Sequence, residues 1–345
     1  MKTPALVLLL SLTLLRTALA ADVPKEEVSA DAKWLLHLEA AQFRSTRVGA
    51  FVTTQMLEKK LAGPVAELNA KFKLAINVEK ILDGINSFTL YGTDYQSVQN
   101  TSVLLIRANP EIEQVVVGLL AGLALSGTNT PIPVFESHLD NLNFYDIHGV
   151  AYCAILPGKV IAVGRTRDIT ANAAQVLTGK APNLSSSTNF TEFGDPKQPF
   201  FFLGVAEGFN FGNGLPPEAR LLQAADGGRV TLGEDAGNLF LHLALHGKTP
   251  DVVAQMQQVV QGLIAIGALA QPQDKDVARL LHSINVSSDA KLVNISVDYP
   301  VSRAIEQLAV LASRVQSNRS APPSAGGTNA EAPEPPPLNA PPSTH

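Results

Sequence analysis

Two histidines four residues apart, His242 and His246 in "GNLFLHLALHGKTPD", have a spacing that could grip a metal ion. On a helix, residues i and i+4 share a face and can hold one ion. On a strand they share a face but stand about 13 Å apart, at ~3.3 Å per residue, too far for one ion. Leu239, Leu241, Leu243 and Leu245 take the odd positions, and Phe240, His242, Ala244 and His246 the even ones. That period of two predicts a strand, its leucine face toward a core and its histidines on the more open face. Thr249, Pro250 and Asp251 then read as N-cap, first position and acidic first turn of a helix that starts after His246. As metal candidates, His242 and His246 would need help from other elements.

The other polar groupings are sparse. In "YDIHG", Asp146 and His148 share a strand face, as an acid orienting a histidine would, which makes them the catalytic candidates. No nucleophile accompanies them. Glu234 and Asp235 in "LGEDAGNL" are paired carboxylates, but their spacing fits no calcium loop, and a solvated hairpin turn is the expectation. Cys153, the single cysteine, lies in the apolar run "VAYCAIL" and reads as a buried side chain. One cysteine leaves no internal disulfide. "FGNGLPPEARLL" sets glycines before a helix start at Pro216, where an anion could sit, although Glu218 already supplies negative charge there. Trp34 reads as core whose indole N–H needs an acceptor. The nucleophile elbow, the zinc-protease pair and the phosphate- and dinucleotide-binding glycine patterns are missing, so no cofactor is expected and enzymatic activity is doubtful.

The ends of the chain are distinct from its middle. Residues 1–20 carry Lys2, an apolar run from Ala5 to Leu15 and Ala18-Leu19-Ala20, the pattern of a secretory signal peptide cleaved before Ala21. The run is short for a bilayer and Arg16 interrupts it, so no transmembrane span is expected after cleavage. Residues 21–27 form a lead-in. From 317 to 345 the chain is rich in Pro, Ala, Ser and Gly and is expected to be disordered. The net charge is −5 without a basic cluster, which argues against nucleic acid and anionic membrane surfaces.

Between the ends one unit recurs: strand, turn, strand, helix. Its copies are "INSFTLYG"/"TSVLLIRA", "GVAYCAI"/"VIAVGRT", "GRVTLG"/"NLFLHLALHG" and "HSINVS"/"KLVNISVDY", each followed by a helical segment. Proline starts three of these helices and Asp168 heads the other. Residues 31–43 also resemble 198–210, so the chain reads as two similar halves, 28–183 and 197–316, joined by a polar linker at 184–196. Hairpins followed by helices predict an α+β fold, with antiparallel sheets and helices packed on one face. The two halves could remain separate or join edge to edge.

On "VSADAKWLLHLEAAQFRSTRVG", "LDGINSFTLYG", "LLIRAN", "GKVIAVGRTRDITANAAQVLTGKAPNL" and "GLIAIGALA", the chain resembles a family of secreted proteins from planctomycete and verrucomicrobial bacteria. The resemblance covers the chain between leader and tail and brings no activity with it. It implies an exported protein, periplasmic or extracellular, associated with the envelope of a Gram-negative cell.

Three functional readings follow. The first is a non-catalytic binding or scaffold protein with an envelope protein as partner. The second is a carrier of an apolar small molecule or lipid. The third is a hydrolase of unrecognised type using Asp146, His148, Glu234 or the strand histidines.

Overall fold

A computed structural model of the chain describes residues 23–125, 134–139, 142–147, 150–156, 160–196, 198–208, 225–270 and 275–320. The leader, the glycines before Pro216, His148 and the chain beyond Ser320 lie outside these residues. Residues up to Ile305 form one compact unit and those from Glu306 another. The architecture below is that of the first.

The alternating segments become strands nearly where the period of two places them. They are β1 (Trp34–Glu39), β2 (Ile85–Gly92), β3 (Ser102–Ala108), β4 (Val134–Leu139), β5 (Leu142–Ile147), β6 (Ala151–Leu156) and β7 (Val160–Gly164) in the first half. The second half has β8 (Phe202–Glu207), β9 (Ala225–Asp235), β10 (Asn238–Gly247), β11 (Ile284–Ser288) and β12 (Leu292–Pro300). All belong to one antiparallel sheet in the order β11-β12-β10-β9-β8-β1-β2-β3-β7-β6-β5-β4.

The halves therefore join edge to edge. The join is β1 against β8, from Trp34 opposite Ala206 to Leu38 opposite Phe202. These are the two strands that lead the similar segments, so β1-β2-β3-β7-β6 on one side answers β8-β9-β10-β12-β11 on the other. Two like edges pairing antiparallel make a pseudo-two-fold axis through the sheet. They also remove two exposed strand edges at once, which would otherwise invite aggregation. The hairpin β4–β5 is an addition to the repeat at one outer edge.

Helix caps follow the sequence signals. In α6 (Arg167–Leu177), Thr166 accepts from Ile169 N. In α7 (Pro250–Ala270), Thr249 Oγ1 accepts from Val252 N at 3.3 Å. The β9–β10 turn places Ala236 and Gly237 at positive φ, 47° and 83°, as a twisted two-residue hairpin requires.

Both faces of the sheet are covered. On one, Val116, Val117 and Leu120 of α5 (Pro110–Leu125) pack on Ile106, Cys153, Ile155 and Ile161. On the same face, Val253 and Met256 of α7 pack on Leu245 and Val293. On the other face, Ala173 and Ala174 of α6 join a long cluster with Leu35, Tyr91, Leu203, Val205 and Phe240. The segment read as a linker contributes Leu184 and Phe193 to that cluster, with Phe200 just beyond it. It spans the halves, but it also acts as part of the core's lid.

Helix α7 is packed unevenly. Val253, Met256 and Val260 are buried, whereas Val259, Leu263, Ile266 and Leu269 are exposed, the last at 81%. Among the described residues, Pro250–Leu269 is the one stretch long and apolar enough to cross a membrane by length and composition, and 17% of it is buried.

Candidate functional site

Beneath the 184–200 segment lies a cavity of about 540 Å³. Its floor is the centre of the sheet: Leu35 on β1, Leu203 and Val205 on β8, and Arg229 on β9. Register puts these on one face, since Val205 stands opposite Arg229, and Leu203 is two residues from Val205. The walls are Leu184, Phe190, Phe193 and Phe200, and the polar groups include Lys25, Asn189, Asp195 and Gln198.

The cover is pinned by polar bonds at several points. The segment pairs with the N-terminal lead-in through a bridge between Ser29 and Asn183. Asn189 Nδ2 donates to Ala30 O at 3.2 Å and Ala32 O at 2.9 Å. Arg229 Nη1 donates to Phe193 O at 2.5 Å and Gly194 O at 2.6 Å, tying the cover to the sheet. Phe190 and Gly194 sit at positive φ, 66° and 60°, where the segment turns. The cover is thus propped over the floor on its ends and on Arg229, and the apolar side chains between the props enclose space without filling it.

The electrostatics of the site are few. Burial holds the Arg229 guanidinium below its ordinary pKa, with the Asp195 carboxylate acting in the opposite direction. Asp195 pairs with Lys25 at 3.4 Å, and both are exposed. Gln198 Oε1 is enclosed and has no hydrogen-bond partner among the described residues. A second, more open and more polar cleft adjoins the first through Ser187 and Asn189 and is bordered by Glu207. Burial is the main cause that pushes the Glu207 carboxyl up.

The residues singled out by spacing lie elsewhere. His242 and His246 are on β10, opposite Thr231 and Gly227 respectively. Their face is not the more open one, because the 184–200 segment comes down on it. His246 meets Phe193 edge-on, with ring centroids 6.4 Å apart, and His242 lies against Phe240 at 5.0 Å. No group of three or more His, Cys, Asp or Glu gathers as a metal site among the described residues. Asp146 is on β5, and its Oδ1 is enclosed without a partner among the described residues, while His148 lies outside them. Glu234 Oε2 accepts from Val48 N at 3.1 Å, at the start of the helix Arg47–Val52, a structural use of that carboxylate. Trp34 Nε1 finds its acceptor in Asp94 O at 3.1 Å. Asp146 and His242 are eight strands apart in the sheet order, roughly 38 Å at ~4.8 Å per strand, so they cannot share one site.

Cys153 is 3% exposed, and burial pushes its thiol up to about 12. The thiolate is the reactive form, so the native protein should resist iodoacetamide at pH 8 and react only once unfolded. Mass spectrometry of alkylated native and denatured samples checks this. Stoichiometric labelling of the native chain would place the thiol at the surface.

One arrangement carried no signal in the spacing. His37 on β1 is fully buried, with Nδ1 2.8 Å from Thr89 Oγ1 and Nε2 3.0 Å from Glu39 Oε1. A hydroxyl, an imidazole and a carboxylate in line resemble an acid–base relay. Thr89, however, is 2% exposed, so no substrate reaches its hydroxyl.

No protein-family model matches the sequence, and no curated protein matches it. Among solved structures, crystal form I of TP0453 is similar at 11% identity and a TM-score of 0.41, over 85% of this chain and 98% of that one. The functional argument therefore rests on the cavity.

Proposed function

We propose that this chain is an exported, non-catalytic carrier of an apolar small molecule, held between the centre of the sheet and the 184–200 cover. The observation that carries the reading is the 540 Å³ cavity walled by Leu35, Leu184, Phe193, Phe200, Leu203 and Val205. Its volume falls in the ~300–1,000 Å³ range of small-molecule sites, and such sites are mainly apolar with a few placed polar groups. An apolar guest gains about 0.8 kcal/mol for each methylene it buries there. Export is supported by the leader pattern at 1–20.

The scaffold reading keeps one observation of its own, the apolar side chains that α7 leaves exposed. It names no occupant, and the cavity does. The hydrolase reading has no gathered set of residues behind it.

Native mass spectrometry of the protein recovered gently from its own envelope tests the carrier. A discrete added mass, removed by organic extraction and missing from Leu184→Trp, is the expected result. Leu184 is on the cover, so an indole there fills the cavity without disturbing a strand. A bare chain that also takes up no apolar fluorophore would overturn the reading.

A further inference from the structure

The charges of the cavity narrow its guest, provided that it holds an apolar molecule as proposed above. Its lining has two cations, Lys25 and Arg229, and one carboxylate, Asp195. Lys25 and Asp195 pair with each other, their side chains 50% and 87% exposed, where water screens them. Arg229 is different. It rises from the floor, half-buried, among Leu203, Val205 and Phe193. Its Nη1 is committed to the two cover carbonyls, and no carboxylate is ion-paired with it among the described residues. A charge taken out of water is costly unless it is paired. The Nε and Nη2 donors form the edge of a planar fork suited to a carboxylate or phosphate.

We propose that the guest is an amphiphile with one anionic headgroup, a carboxylate or a phosphate monoester. The headgroup is held by Arg229 with Lys25 at the rim, and the apolar body lies along Leu35, Leu203 and Val205 under Phe193. A neutral guest of the same size would leave the guanidinium's charge without a counter-ion. Enclosed Gln198 Oε1 adds an acceptor for a hydroxyl or protonated group near the headgroup.

The competing account of Arg229 is a strut that only ties the cover to the sheet. The two accounts separate in a displacement assay on the full chain, using a neutral apolar fluorophore as reporter. Hexadecanoate, hexadecyl phosphate and hexadecanol share one apolar body and differ in the head. At least one of the anionic probes should displace the reporter at about tenfold lower concentration than hexadecanol, as one charge-assisted hydrogen-bond set would give. The better of the two identifies the headgroup. Arg229→Gln should abolish that preference and leave hexadecanol unchanged. Asp195→Asn, at an exposed position, should tighten the anionic probe severalfold, a gain that misfolding cannot imitate.

Equal displacement by hexadecanol and both anionic probes would overturn the headgroup assignment while leaving the carrier standing. So would an Arg229→Gln loss that falls equally on all three probes, the signature of a strut. Displacement by millimolar inorganic phosphate alone would overturn it too, by showing a plain anion site. No uptake of the reporter by the wild-type chain would instead sink the carrier reading itself.

Discussion

Phe240→Ala should cost the fold about 3–5 kcal/mol, the usual range for deleting an enclosed phenyl ring. Phe240 is 2% exposed and belongs to the cluster that also holds Leu35, Tyr91, Leu203 and Phe200. Its ring occupies the space over Gly233 on the neighbouring strand, where an added Cβ would come within 2.4 Å of it. No other side chain is placed to flow into that gap, so the lost contacts are not replaced. Urea denaturation followed by far-UV circular dichroism and by tyrosine and tryptophan fluorescence checks the size of the effect. The midpoint should fall at unchanged m-value. The two probes should also coincide, because Tyr91 and Phe240 lie in different halves but one cluster. A loss under 1 kcal/mol would mean that the ring is not enclosed, and separated transitions would mean that the halves melt independently.

How much of this was legible in the sequence depends on whether the signal is local. Strand β10 reads from its own alternation, and α7 from Thr249 and Pro250 beside it. The distance between His242 and His246 follows from the same alternation. The cover on their face does not, because Phe193 approaches from a segment whose composition is mostly polar. There the sparse aromatics Phe190, Phe193 and Phe200 are the part that matters, and averaging over the segment hides them. The β1–β8 join is likewise invisible, since any two apolar strands of matching length could pair. The β4–β5 hairpin escaped because the repeat sets no place for it. A cavity is the least legible feature of all. It is the volume that Leu35, Leu184 and Val205, distant in sequence, fail to fill together.

The join explains why the site is where it is. Duplication produces a sheet with a pseudo-two-fold axis between β1 and β8, and such an axis would favour two equivalent half-sites. The single 184–200 segment can lie over the axis in one direction only. It brings Phe193 and Gly194 to Arg229 on the β9 side. On the β2 side the corresponding region is occupied by Tyr91, fully buried and without a neighbouring cavity wall. One guest per chain follows from one asymmetric cover on a symmetric floor.

Buried beside that floor, the His37 set gives the second large effect. A carboxylate only accepts, so His37 Nε2 carries the hydrogen toward Glu39, and in a neutral ring Nδ1 accepts from the Thr89 hydroxyl. His37→Leu roughly keeps the volume but leaves the Thr89 hydroxyl unpaired in a place water does not reach, which costs about 1–3 kcal/mol. His37→Ala adds a cavity and should cost about 2–5 kcal/mol. The informative variant is the double one. With Thr89→Val, neither side of the lost bond has an unmet polar group, so His37→Leu/Thr89→Val should be markedly more stable than His37→Leu alone, even though it carries one change more. Thermal or urea unfolding of the four proteins in the cycle measures this coupling. A strictly additive cycle would show that the hydroxyl and the imidazole do not depend on each other. The relay would then be a coincidence of register, Thr89 standing opposite His37 merely because β2 pairs with β1 at that residue.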